Sequence, residues 1–326
     1  MTVPQWSVYS GQLRADIAHA ASGQGRRVSA GMVDRIAAQV TDLQRADDTH
    51  GGGDLIIEAE AHPSFVTRLL DHGSYTEAQE RRLFARAADL SRMAGWMAFD
   101  DGRHAAAQLY FAAALRAAHT SGDVLLGANV LPFAAVQHYS VGNPSTPTRW
   151  SAPRRAPYEA APPRPWTRCS PPRQARALAK AGDAPACYRA LNRAADLLDE
   201  DRRDDDPPWA YWVEQAEIDM LTGSSLLDLG RPAEAQVKFR AADAAYGPGY
   251  VRTHALYLTR MATAQLQQRD VDAACGSATQ ALDLLADINS ARSIDHVQTF
   301  AKQLLPYQST PVAREFLERA RTAIAL

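Results

Sequence analysis

Nine histidines, three cysteines and thirty-seven carboxylates are the residues of this chain whose types could do chemistry, and their spacing decides what they can do. The histidines are scattered: no HExxH places two imidazoles on one helical face around zinc, and no Cys-His grouping has metal-ligand spacing. No Gly-x-Ser-x-Gly elbow presents a serine nucleophile. His104 follows a turn and His138 sits in "QHYS" at a helix end, positions of capping or surface residues. Glu217 and Asp219 invite a paired-carboxylate reading, yet residues i and i+2 point to different faces of a helix. Trp209 and Trp212, after Pro208, could stack a ligand, but a packed helix face is the favoured reading. Cys169, Cys187 and Cys275 are odd in number and lack CxxC spacing, so they read as reduced, buried thiols. Catalysis has no candidate site, and the expectation is a protein that is not an enzyme, with no cofactor and no metal.

Composition narrows the class further. Thirty-five basic residues against thirty-seven acidic give a net charge of −2, which removes the usual electrostatic reason for tight nucleic-acid binding by the chain as a whole. The start "MTVPQWSVYSGQLRAD" has no basic region followed by an apolar one, and no later window is expected to span a bilayer. The expectation is a cytoplasmic protein with no membrane partner. Lys180, Lys238 and Lys302 stand among those thirty-five basic residues, the rest being arginines, and with abundant alanine this suggests GC-rich coding.

The elements that must position any site come from an internal repeat. "GRHAAAQLYFAAAL" from Gly102 matches "GRPAEAQVKFRAAD" from Gly230 in register. Gly102, Gly142, Gly182, Gly230 and Arg269 mark five equivalent turns. Seven residues before each lies a small residue, Gly95, Ala135, Ala175, Gly223 or Ala262, where two helices of a hairpin can approach closely. After the turn, Ala107, Phe111 and Ala114 trace one face of a second helix, as do Cys187, Leu191 and Ala194, then Ala235, Phe239 and Ala242, then Ala274, Ala278 and Ala281. A hairpin cannot bury that face alone, so consecutive hairpins must stack. The fold class expected is all-α, a right-handed α-solenoid of helical hairpins, with Phe111 and Phe239 as equivalent buried residues.

Three stretches interrupt the pattern. Residues 1–28 read as an N-terminal arm, and 29–54 as a linker helix, capped by Ser29 and with Ile36, Val40 and Leu43 on one face, ending in the Gly-rich joint "THGGGD". Residues 55–326 form the repeat domain. "DEDRRDDDPPWAYW" reads as a solvated acidic loop followed by a helix opened by Pro207 or Pro208. "PSTPTRWSAPRRAPYEAAPPRPWTRCSPPR", from Pro144, stands where a second helix and the start of the next unit belong, and proline in a helix interior costs about 3 kcal/mol. Residues 144–172 are therefore expected to be irregular. Read one base out of frame, the codons of Trp166 to Pro172 give Asp, Ala and aliphatic residues that join "RQARALAKAGD" as one amphipathic helix, so two compensating frame changes bounding about residues 145–172 are the favoured reading and a proline-rich loop the alternative.

The layout of small residue, glycine, alanine, phenylalanine and alanine resembles the tetratricopeptide repeat. Together with "HGGGD", "ERRLFARAADLSRMAGWMAFDDGRHAAAQLYFAAALRAAHTSGD", "DDDPPWAYWVEQAEIDMLTGSSLLDLGRPAEAQ" and "YVRTHALYLTRMATAQL", the chain resembles the tetratricopeptide-like regulatory region of actinobacterial Cro/repressor-type helix-turn-helix transcriptional regulators. That resemblance implies a sensor array that biases DNA binding and dimerisation. No helix-turn-helix is evident ahead of the linker, so DNA is expected as a partner only through such a domain elsewhere. The partners expected are a peptide, a small molecule or a protein in the concave groove, with a homodimer allowed; a stand-alone scaffold for protein partners is the alternative. Positions nine to thirteen and three to six residues before each turn face that groove and include Arg92, Trp96, Asn129, Tyr139, Glu217 and Thr259. Asn129 could bond a peptide backbone through both halves of its amide.

Overall fold

The computed structural model describes residues 27–141, 164–198, 214–245 and 250–324, without the side chains of 164–170, 197 and 198. Thirteen α-helices cover most of them: α1 (Ala30–His50), α2 (Ile56–His72), α3 (Glu77–Asp100), α4 (His104–Ser121), α5 (Val124–Val141), α6 (Arg164–Lys180), α7 (Ala184–Leu198), α8 (Gln215–Asp228), α9 (Pro232–Asp243), α10 (Val251–Gln267), α11 (Val271–Leu285), α12 (Ala291–Leu304) and α13 (Pro311–Ile324). Among the described residues the one departure from helix pairing is an isolated bridge between Arg27 and Ser74. The all-α class is as the sequence predicts. The chain divides into two compact units, residues 1–134 and 135–326.

The turns fall where the repeat places them. Gly102, Gly182 and Gly230 take φ of 78°, 76° and 73°, and Arg269 takes 64°. This is the left-handed conformation that closes a helix, and glycine reaches it without a Cβ clash. At each turn the next residue's N–H returns to a carbonyl five residues back: Arg103 to Ala98 at 2.7 Å, Asp183 to Leu178 at 3.0 Å, Arg231 to Leu226 at 2.9 Å, and Asp270 to Gln265 at 3.1 Å. The resulting hairpins are α3 with α4, α6 with α7, α8 with α9, and α10 with α11. The fifth predicted turn, Gly142, lies outside the described residues.

Close packing within the hairpins explains the small residue seven positions earlier. A Cβ added to Gly95 would sit 2.8 Å from ring carbons of Phe111 and 3.3 Å from the Ala107 carbonyl. The same construction at Gly223 meets Phe239 at 2.9 Å and the Ala235 carbonyl at 3.1 Å. Each phenylalanine ring thus packs against a bare stretch of its partner helix, and both are buried. In the second unit Phe239 also joins a core of Met220, Leu226, Tyr257, Leu258 and Met261 from α8 and α10. Ahead of the repeats, α1 begins at Ser29, whose side chain accepts from the Met32 N–H, and buries Ile36, Val40 and Leu43 as predicted. Helix α3 starts with a capping box between Thr76 and Gln79.

Three expectations need revision. The Gly-rich joint is packed: Gly51 closes α1 with φ 81°, the Gly52 N–H donates to the Asp100 carboxylate at 3.3 Å, and a Cβ on Gly52 would meet the Met97 backbone at 2.9 Å. Helix α1 packs on α3, so 29–54 belongs to the body of the first unit. The proline segment is also shorter than expected, because α6 begins at Arg164 and carries Pro171 and Pro172 inside it, both buried. Packing of this helix on α7 and α8 offsets the backbone bonds that the two prolines remove. Finally, α5 is an 18-residue helix free of Asp, Glu, Lys and Arg, and by length and composition it is long and apolar enough to cross a membrane; half of it is buried. Residues 1–26, 142–163, the acidic run, and Trp150, Trp209 and Trp212 lie outside the described residues, as does the side chain of Trp166.

Candidate functional site

Within the first unit, α3 presents Asp89, Arg92 and Trp96 at helical spacing on one face, and α5 presents Asn129 and Phe133 one turn apart. The Arg92 guanidinium lies 4.7 Å from the centre of the Phe133 ring, a cation-π contact. Trp96 meets the same ring edge-on at 5.2 Å. Its indole N–H donates to the Asp47 carboxylate of α1 at 3.1 Å, so Trp96 is a fixed wall with no donor left over for a ligand. Asp89 faces Arg92 at 3.9 Å and Arg86 at 3.4 Å. Burial raises its carboxyl above the ordinary aspartate range, and the two arginines only oppose that rise.

Asn129 is 2 % exposed, and neither its amide oxygen nor its amide nitrogen has a hydrogen-bond partner. An amide buried this way costs about 1–3 kcal/mol unless something completes it. Pro132, three residues on, has no N–H to return to the carbonyl of Ala128. Arg92, Trp96 and Asn129, named from the sequence, thus come from two neighbouring elements around Phe133, which was not named although it lies nine residues before Gly142 and meets the same spacing. A separate cavity of about 340 Å³ in this unit is lined by Ala37, Arg81, Arg82, Arg86 and Asp123, and none of the sequence-named residues reaches it.

In the second unit the predicted residues have different fates. Thr259 is 1 % exposed and its hydroxyl donates to the Ala255 carbonyl at 3.0 Å, so it is used within its own helix. Glu217 accepts from the Tyr257 hydroxyl at 3.2 Å. Tyr139 offers its ring face to the Arg176 guanidinium at 5.6 Å. Arg176 Nη1 in turn donates to the Ser224 carbonyl at 2.6 Å and to the Asp228 carboxylate. Lys180 reaches that carboxylate at 3.5 Å and Arg260 at 4.0 Å.

Three cations therefore surround one carboxylate in a largely buried place, and the electrostatics follow. Burial alone would raise the Asp228 carboxyl, but Arg176, Arg260 and Lys180 hold it below the usual range. Burial, with Arg176 beside it, pulls Arg260 down to about 10. Burial and then Arg260 and Arg292 hold His296 well below the ordinary histidine range, so it is neutral at pH 7. Burial and Glu217 push the Tyr257 hydroxyl up.

Arg176, Tyr257 and Arg260 satisfy the groove spacing that pointed to Thr259, since they lie six, twelve and nine residues before their turns. Applying that rule to every residue type would have found them; Asp228 and His296 fall outside it and carry no sequence signal. Among the described residues no three His, Cys, Asp or Glu side chains come together to hold a metal ion, and Cys187 and Cys275 are buried free thiols. No protein-family model matches the chain, and no curated protein matches it.

Proposed function

We propose that the hairpins of each unit stack as tetratricopeptide-like repeats of a right-handed solenoid, and that the chain is the sensor region of a transcriptional regulator, taking a peptide or small-molecule signal rather than catalysing a reaction. The recurrence of one turn, one Gly-Phe contact and one returning hydrogen bond supports the repeat reading. The observation that carries the binding reading is Asn129, whose buried amide has a donor and an acceptor without partners beside the Arg92 and Phe133 pair. A peptide unit supplies the matching acceptor and donor, and ordering them in a dry site makes each bond count more than it would in water. We place α5 as a core helix in a cytoplasmic protein, because it buries Asn129 and Gln137 and packs Leu126 against Ala85, Ala88 and Ala118.

Asn129→Ala tests this directly. Removing an amide that has no partner should leave the free chain as stable as before, or more stable by about 1 kcal/mol. The same change should abolish ligand responses found by screening synthetic peptides and metabolite fractions for a shift in the thermal unfolding midpoint. A variant that is destabilised by more than about 2 kcal/mol, with ligand responses intact, would reduce Asn129 to a structural residue.

A second reading, a stand-alone scaffold for protein partners, is favoured by Leu109 and Val237. These take equivalent places seven residues after their turns and are 75 % and 65 % exposed. Transcript changes on deleting the gene would support the regulator; co-purifying proteins lost in a Leu109→Glu, Val237→Glu variant, without transcript changes, would support the scaffold.

A further inference from the structure

The charge around Asp228 is out of balance. Arg176 Nη1 pairs with one carboxylate oxygen, and the other has Lys180 Nζ at 3.5 Å and Arg260 Nη1 at 4.0 Å. One anion thus faces three cations, an excess of two positive charges. Glu217 and Arg292, farther out, add one charge of each sign and leave that excess unchanged. The Arg260 side chain is only 16 % exposed, and its contact with Asp228 exceeds hydrogen-bonding distance. A guanidinium so placed has lost most of its water without gaining a full partner, which a folded chain tolerates at a cost.

Two further observations bear on a ligand. Ser224, one helical turn before Asp228 on the same face of α8, is fully buried, and its hydroxyl has no partner although its carbonyl accepts from Arg176. Lys180, at the end of α6, keeps 37 % of its side chain exposed, so the cluster has a route to solvent.

We infer that this cluster on α6, α8 and α10 is a binding site for a phosphate dianion, either free or as the monoester group of a small molecule, held by Arg260 and Lys180 and flanked by Arg176. A phosphate carries about −1.5 to −2 charges at neutral pH and three strong acceptor oxygens, which match an excess of two and three nitrogen donors. Asp228 then acts as the resident counter-ion that keeps the arginines in place. The site lies in the second unit and does not rest on the reading of Asn129.

The test uses the full chain, with inorganic phosphate, phenyl phosphate and succinate as probes at ionic strength held constant with chloride. Calorimetric titration and the thermal unfolding midpoint are the readouts. Phosphate should bind saturably and raise the midpoint, whereas succinate, a dianion without the tetrahedral oxygens, should act like chloride. Stronger binding of phenyl phosphate than of inorganic phosphate would assign the site to a monoester, and the reverse order to the free ion. Lys180→Gln, at an exposed position that folding tolerates, should weaken phosphate about tenfold, as losing one charge-assisted bond does. Asp228→Asn leaves three cations facing one another, so its midpoint should fall without phosphate and recover with it by more than the wild type gains. A wild-type chain and an Asp228→Asn variant that respond to phosphate no more than to chloride would overturn the proposal, as would equal affinity in Lys180→Gln or equal binding of succinate.

Discussion

Arg269 shows what one residue's backbone demands. Among the described residues it is the one non-glycine with positive φ, at 64°, and it stands where Gly102, Gly182 and Gly230 stand in their own hairpins. An L-residue in this conformation brings Cβ against the following carbonyl at about 1–2 kcal/mol, whereas glycine gives back about 0.5–1 kcal/mol through its freer unfolded chain. The Arg269 side chain is exposed, so its removal loses no core contact. Arg269→Gly should therefore stabilise the fold by about 0.5–1 kcal/mol, read from denaturant midpoints at unchanged slope. Equal or lower stability would mean that the arginine side chain contributes something beyond the turn.

At the scale of the element, the hairpin is held by a ring on a bare helix. Phe239 is 1 % exposed and touches the surface that Gly223 leaves open. Phe239→Ala should cost about 3–5 kcal/mol, the range for deleting a buried aromatic ring. Gly223→Ala should cost about 1–3 kcal/mol, since its new Cβ meets the ring well inside ordinary contact distance. The two should not add: with the ring gone, a Cβ at 223 still faces the Ala235 carbonyl at 3.1 Å but no longer meets the ring, so Gly223→Ala should cost less in the Phe239→Ala background than in the wild type. Additive losses would show that ring and glycine do not form one contact. Helix α6 teaches the opposite lesson about local rules. Pro171 and Pro172 read as loop residues from propensity, yet they are buried inside a helix that packs on two others. Intrinsic preference is a few kcal/mol per proline, and burial of a helix face is of the same order, so propensity alone could not settle the outcome.

For the molecule as a whole, buried ionisable groups set how stability follows pH. His296 has its folded-state pKa well below the ordinary value, so the unfolded chain binds the proton more readily. Its contribution is fully present above about pH 6.5 and is lost as pH falls below that. Asp228 is also depressed, held down by Arg176, Arg260 and Lys180 against the effect of burial, and its contribution is present above about pH 4 and lost below it. Acid should therefore weaken the fold from about pH 6.5 downward through His296, and through Asp228 as well below about pH 4. His296→Gln should flatten the fall in stability that begins at about pH 6.5, and Asp228→Asn should flatten the further fall that begins at about pH 4. Chemical denaturation across that pH range checks both, and a His296→Gln profile parallel to the wild type down to about pH 5 would remove the histidine from the account.

The sequence by itself determined the hairpins. A left-handed turn accepts few residues besides glycine, and the ring of a helical phenylalanine needs a missing Cβ opposite, so both leave marks at fixed local spacing that repeats down the chain. It also picked out Asn129, Arg92 and Trp96, because groove positions follow from that spacing. Only the tertiary structure decided which of them have polar atoms without partners: Thr259 and Trp96 are satisfied by Ala255 and Asp47, and Asn129 is not. It alone assembled Asp228 with Arg176, 52 residues away, and with Arg260, since the cost of burying a charge depends on which helices meet around it and not on its neighbours along the chain.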